Sequence, residues 1–70
     1  MEVFSGFDSS NIAEIAYDAS TQILQVTFHN GSTYQYFDVP DHIWEAFKIA
    51  DSKGIYLNST IKGQYRYSKV

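Results

Sequence analysis

The sequence predicts an α+β fold: a three-stranded antiparallel β-meander in the order 1-2-3, with one face covered by two short C-terminal helices. Three observations carry this reading. Ile12 to Tyr17 alternates, with Ala13, Ile15 and Tyr17 on one side and Ile12, Glu14 and Ala16 on the other, the period of a half-buried strand. Phe28 to Pro40, FHNGSTYQYFDVP, holds a turn signal, an aromatic-alternating strand and a proline that hands the chain to a helical half. Beyond it Ile43, Ala46, Phe47 and Ala50 recur at helical spacing.

The turn can be read in detail, because loop length decides which strand residues share a face. A two-residue Asn30-Gly31 turn would pair Phe28 with Thr33, and would point Leu24, Val26 and Phe28 away from Tyr34 and Tyr36. A three-residue loop, His29-Asn30-Gly31, puts Gly31 at the left-handed position and pairs Phe28 with Ser32, Val26 with Tyr34 and Leu24 with Tyr36. The second arrangement gathers the apolar side chains on one side, and it is the one expected. For the preceding connection, a four-residue Asp18-Ala19-Ser20-Thr21 loop would pair Tyr17 with Gln22, Ile15 with Leu24 and Ala13 with Val26. Both hairpins then present apolar residues to one common face.

That face needs a cover, since three strands with a bare apolar side are poorly stable. Pro40 suits a helix start, with Asp41 and Glu45 near the positive end of the helix dipole. Ile43, Ala46, Phe47 and Ala50 form the inward stripe, and Trp44 is placed beside it as a core or core-rim residue. Ser52 is a plausible N-cap for a second short helix, in which Leu57 and Ile61 face one way and Gly63 marks the stop. Met1 to Asn11 reads as a lead-in, with Val3, Phe4 and Phe7 available for packing. Gln64-Tyr65-Arg66-Tyr67 alternates aromatic and polar residues and is read as an extended tail.

Seventy residues make one domain, and a chain this short buries only about 60% of its unfolded surface. Aromatic residues, 17% of the chain, offset this with large apolar areas. Cysteine is absent, which excludes disulfides, thiolate metal sites and a thiol nucleophile, and fits a reducing, cytoplasmic setting. Neither a basic-then-apolar leader nor a run of about 18 apolar residues occurs, so no membrane partner is expected.

Catalytic and cofactor chemistry finds little support. His29 falls in the hairpin loop and His42 at a helix start, without HxxxH, HExxH or cysteine pairs, so no metal site is expected. No serine sits in a GxSxG elbow or an SxxK pair, and the four glycines do not cluster into a phosphate cradle. Asp38 and Asp41 are explained by helix-end electrostatics. Asn30-Gly31-Ser32 and Asn58-Ser59-Thr60 match the N-glycan acceptor pattern only formally. The expectation is a non-enzyme with no catalytic residue and no small-molecule cofactor.

Charge is segregated instead. Net charge is −3, yet residues 1–42 carry six acids and no Lys or Arg, whereas residues 52–70 carry Lys53, Lys62, Arg66 and Lys69 and no acid. Such asymmetry predicts one basic surface on an otherwise acidic domain. Aromatic residues are interleaved with it in the series Lys53, Tyr56, Lys62, Tyr65, Arg66 and Tyr67, of which Lys53, Tyr56, Lys62, Tyr65 and Arg66 are the candidate nucleic-acid-binding residues, cations for phosphates and rings for stacked bases.

The ordered series Ser9-Ser10-Asn11-Ile12, Tyr17-Asp18, Leu24-Gln25-Val26-Thr27-Phe28, Asn30-Gly31, Tyr34-Gln35-Tyr36, Val39-Pro40, Ala50-Asp51-Ser52-Lys53-Gly54, Leu57-Asn58 and Ile61, closed by Tyr65, resembles the KTSC domain. That family takes its name from the extra C-terminal domain of some lysyl-tRNA synthetases and also occurs as small stand-alone proteins. The resemblance spans about residues 9–67. It implies a single KTSC-like domain over residues 1–70, with residues 1–10 as lead-in and 64–70 as tail. Where the family tends to carry Phe, this chain has Leu57, a conservative core exchange. RNA binding has been suggested for the family from its attachment to a tRNA-handling enzyme, so RNA, as tRNA or a single strand, is the implied partner. Of the signature, Tyr34 and Tyr36 match, and the register places both beneath the helices, a mainly architectural role. The expected function is a small RNA-binding module using the basic, aromatic C-terminal surface. Its alternative is a protein-interaction or self-assembly module using exposed sheet edges and aromatic residues.

Overall fold

The computed structural model describes all 70 residues. The chain forms β1 (Glu2–Ser5), β2 (Ile12–Asp18), β3 (Ile23–Phe28), β4 (Thr33–Tyr36), α1 (Asp41–Ile49), α2 (Lys53–Tyr56), a π-helical turn over Leu57–Ile61, and β5 (Tyr67–Lys69). The sheet has five antiparallel strands in the order β1-β2-β3-β4-β5, so the expected three-stranded meander is its centre and not the whole. Each of the two added strands borders the meander. Glu2 to Ser5 pairs with Tyr17 to Glu14, and Tyr67 to Lys69 pairs with Tyr36 to Tyr34. The lead-in thus contains a strand, and the extended tail gains a partner. Both satisfy backbone groups that β2 and β4 would otherwise leave bare.

The β3–β4 hairpin has the expected register, with Val26 opposite Tyr34 and Leu24 opposite Tyr36. Its loop is closed by Phe28 N donating to Ser32 O at 2.8 Å and Gly31 N donating to Phe28 O at 3.0 Å. Gly31 has φ +91°. A Cβ there would meet nothing within 4 Å, so the requirement is one of backbone conformation and not of space.

The β2–β3 register differs from the expectation by two residues. Tyr17 faces Leu24 and Ile15 faces Val26, and Asp18 still pairs with Ile23, so the four-residue loop is Ala19 to Gln22. Asp18 sets this start: its carboxylate accepts from Ser20 N at 3.0 Å and Ser20 Oγ at 2.7 Å, an Asx turn that keeps Asp18 in the strand. Gln22 takes the last loop position at φ +58°, held by Val39 N donating to its carbonyl at 3.0 Å. A shift of two preserves parity, and Ile15 and Tyr17 therefore stay on the core face. A second difference lies upstream, where the register breaks between Ile12 and Glu14. The bulge at Ala13 turns Ile12 inward, and Ile12 rather than Ala13 is fully buried opposite Phe28.

The core lies between this face and the helices. Ile12, Ile15, Tyr17, Leu24, Val26, Tyr36 and Val39 meet Trp44, Phe47, Leu57 and Ile61. In α1 the stripe is centred on Trp44 and Phe47, both buried, with Ile43 half-buried beside them. Trp44 stacks on Tyr17 with ring centroids 5.5 Å apart, and Phe47 stacks on Tyr56 at 5.2 Å. Tyr17 donates its hydroxyl to Val39 O, and burial pushes that phenol's pKa up, with Asp41 adding to the rise. Ser52 caps α2 as expected, its Oγ accepting from Ile55 N at 3.2 Å. The π-helical turn closes with Lys62 N donating to Leu57 O at 2.8 Å and leaves both Leu57 and Ile61 in the core.

One polar cluster ties β1 to α1. Glu2 accepts from Trp44 Nε1 at 3.0 Å and from Lys48 Nζ at 2.8 Å, and Lys48 also reaches Glu45 at 3.2 Å. The Lys48 ammonium, with help from Trp44, holds the Glu2 carboxyl below its ordinary value, while Glu2 pushes Lys48 up.

Phe47→Ala is expected to cost about 3–5 kcal/mol, much of the roughly 4–10 kcal/mol available to a domain of this size. Urea unfolding measures it, and a loss within about 1 kcal/mol would contradict the placement of Phe47. Because Glu2 has a depressed folded-state value, its contribution is fully present above the unfolded glutamate value and is lost as pH falls below that value and through the lower folded-state one. Glu2→Gln should therefore lower the thermal midpoint near neutrality and flatten its fall across roughly pH 5 to pH 3. A profile with the wild-type slope would show that Glu2 is unlinked.

Candidate nucleic-acid interface

The β3–β4 register puts Tyr34 and Tyr36 on the same side of the sheet as Val26, and β5 adds Tyr67 directly opposite Tyr36. Across from these rings the π-helical turn ends. Ile61 is buried, Lys62 emerges, and Gly63, at φ +81°, reverses the chain. Between the two lies a cleft of about 610 Å³. Its walls are Phe28, Tyr34, Tyr36 and Tyr67, and its rim is Asn30, Ser32, Lys62 and Gly63.

The rings are mutually braced. Phe28 meets Tyr34 edge-on at 5.8 Å, and Tyr67 lies 5.9 Å from both Tyr34 and Tyr36. Tyr36 is buried, and that burial raises its phenol pKa, reinforced by the neighbouring Tyr34 and Tyr67. It is thus a neutral O–H donor at ordinary pH. Tyr36 nonetheless contributes to the lining of the cleft. Asn30 spends its Oδ1 on Ser32 N at 2.9 Å, leaving its amide NH₂ free to donate.

The electrostatics are one-signed. No carboxylate lines this cleft in a chain of net charge −3, and Lys62 is its one charged side chain. Lys69 lies opposite Tyr34 in the register, on the same face of the sheet. A smaller hollow elsewhere, about 320 Å³, is bordered by Glu2, Asp18, Asp41 and Glu45 and has the opposite character. No group of three or more His, Asp or Glu side chains converges as a metal site would require, and no helix is long and apolar enough to cross a membrane.

The sequence-selected residues separate into three groups. Lys62 stands at the cleft. Tyr65 and Arg66 lie just beyond Tyr67, where Arg66 donates to Asp38 at 2.9 Å and sits 5.5 Å over the Phe37 ring. That ion pair is largely exposed and contributes about 0.2–1 kcal/mol. Lys53 and Tyr56 serve the fold instead. Lys53 is 6% exposed; its ammonium donates to Ala50 O at 2.7 Å and lies 5.7 and 5.2 Å from the Phe4 and Phe7 rings. Tyr56 packs on Phe47 and donates to Ile43 O at 3.3 Å, and burial raises its pKa. Charge counting alone could not find Phe28 and Asn30 as neighbours of Lys62. The available signal was the second tyrosine pair, Tyr65 and Tyr67, which repeats the spacing of Tyr34 and Tyr36.

The chain as a whole matches a known family. The KTSC domain model fits residues 8–65. This chain belongs to the KTSC domain family. A KTSC domain protein from Yersinia pestis, known from its crystal structure, superposes with a TM-score of 0.89 at 34% identity, covering 99% of this chain and 96% of that one. A lysine–tRNA ligase of Trichormus variabilis is 40% identical over 63 residues, 90% of this chain but only 11% of the ligase. A Stutzerimonas stutzeri protein is 40% identical over 63 residues and 89% of each chain, so the KTSC domain occurs both within a large ligase and as a small protein.

Proposed function

We propose that this KTSC domain is a non-enzymatic module that binds single-stranded nucleic acid, RNA foremost, in the aromatic cleft. The observation that carries the reading is the acid-free cleft itself: four aromatic rings and a lysine in a protein with an excess of carboxylates. Base faces stack on aromatic rings in any sequence, and a stacked base contributes about 1–3 kcal/mol. Lys62, with Lys69 on the same side, supplies the cations that track phosphates. The neutral Tyr36 hydroxyl and the Asn30 amide can donate to base or sugar oxygens. The occurrence of the domain in lysine–tRNA ligases supports RNA over DNA as the partner.

The protein-interaction alternative has its own supporting observation. β1 and β5 are sheet edges, and Val3 and Tyr67 are exposed along them. Strand addition there would be insensitive to the charge of Lys62.

Titration of a labelled, unstructured RNA at 50 and 200 mM salt separates the two. Neutralising two phosphates on a single strand predicts a loss of about sevenfold over that range, and Lys62→Gln should reduce it to about threefold. Tyr34→Ala should weaken binding by about 1–3 kcal/mol at either salt. No association at 50 mM salt up to about 100 μM protein would overturn the reading.

A further inference from the structure

The cleft has a neighbour across the β5 edge of the sheet. A second, more open hollow of about 630 Å³ lies on the far side of Tyr67, walled by Phe37, Tyr65 and Arg66 and sharing Gly63 and Tyr67 with the first. Each hollow has its own aromatic faces and its own cation, Lys62 in one and Arg66 in the other, and neither lining contains a carboxylate. Tyr67 is 62% exposed and stands as the partition between them.

The chain explains the duplication. Tyr67 pairs with Tyr36, and one step back Arg66 O accepts from Phe37 N at 2.9 Å. Successive residues of an extended strand point to opposite sides. Tyr67 therefore joins the Tyr34 and Tyr36 rings while Arg66 departs and covers the Phe37 ring at 5.5 Å. The second cation is conditional. One guanidinium nitrogen of Arg66 donates to Asp38, in a pair whose side chains are 77% and 74% exposed. A guanidinium has five N–H donors, so most remain for a phosphate, which competes with Asp38 for the group.

We infer that the two hollows are adjacent nucleotide subsites. The unit recognised is a dinucleotide step: one base in each hollow, Tyr67 between them, and Lys62 and Arg66 on successive phosphates. Asp38 acts as a brake on the second subsite. This inference rests on the cleft being a nucleic-acid site, and it fixes the length of what the site takes.

The experiment is a calorimetric titration at 50 mM salt with adenosine 5′-monophosphate, the 5′-phosphorylated adenylate dinucleotide, and the tri- and hexanucleotides, with the deoxy series alongside. Affinity is expected to rise about tenfold from one nucleotide to two, the gain of one further stacked base, in both series, with much smaller gains beyond. Phe37→Ala should abolish that step and leave mononucleotide affinity unchanged. Asp38→Asn, which removes a charge without touching the aromatic packing, should tighten the dinucleotide several-fold and the mononucleotide not at all. Equal affinities for one and two nucleotides, or a step that survives Phe37→Ala, would overturn the inference while leaving the cleft as a single-nucleotide site. Failure of every oligonucleotide to bind would remove the cleft reading along with it.

Discussion

The constraint on which this structure depends is the parity of the β3–β4 hairpin. A three-residue loop with Gly31 in the left-handed region places Phe28 opposite Ser32, and so puts Leu24, Val26, Tyr34 and Tyr36 on one side. A loop one residue shorter would send the two tyrosines to the opposite face. The core would lose Tyr36, and the cleft would lose its back wall. Backbone geometry at a single glycine thus decides both packing and surface chemistry.

That single face is then divided. Under the helices, Leu24 and Val26 meet Phe47, Leu57 and Ile61. Toward β5 the helical cover ends at Gly63, and the same row of side chains continues as a tyrosine-lined cleft. Tyr36 belongs to both, as a member of the core and as a residue lining the cleft. An architectural role and a contact role for the Tyr34–Tyr36 pair are therefore compatible. At the opposite border, the Glu2, Trp44 and Lys48 cluster fastens β1 to α1, so the acidic and the aromatic ends of the molecule are anchored separately.

What could be read from the sequence was local. The three-residue loop, the common apolar face, the Ser52 cap and the buried Leu57 and Ile61 follow from spacing within a few residues. The family resemblance was equally legible, because its residues recur in order along the chain. What could not be read depends on partners distant in sequence. Glu2 to Ser5 lacks alternation of its own and becomes a strand only against β2, and the same is true of Tyr67 to Lys69 against β4. The Ala13 bulge is invisible to a strict period of two. A sequence does not show that Phe4, Phe7 and the Ala50 carbonyl surround the Lys53 ammonium, which makes it look like a surface cation. The basic surface is consequently smaller than the charge segregation implied, and it is centred on Lys62.

On the proposed function, nucleic acid meets the tyrosine face of the hairpin and the adjoining hollow at Phe37 and Arg66, and not the rest of the sheet. This placement is tested most directly by nuclear magnetic resonance on the intact chain, following ring and backbone signals as a short unstructured RNA is added. Perturbations and intermolecular contacts are expected to cluster at Phe28, Tyr34, Tyr36, Lys62 and Tyr67 and to extend to Phe37 and Arg66. Perturbations confined to the opposite sheet face, around Gln25, Thr27 and Gln35, or to the outer edge of β1, would contradict it.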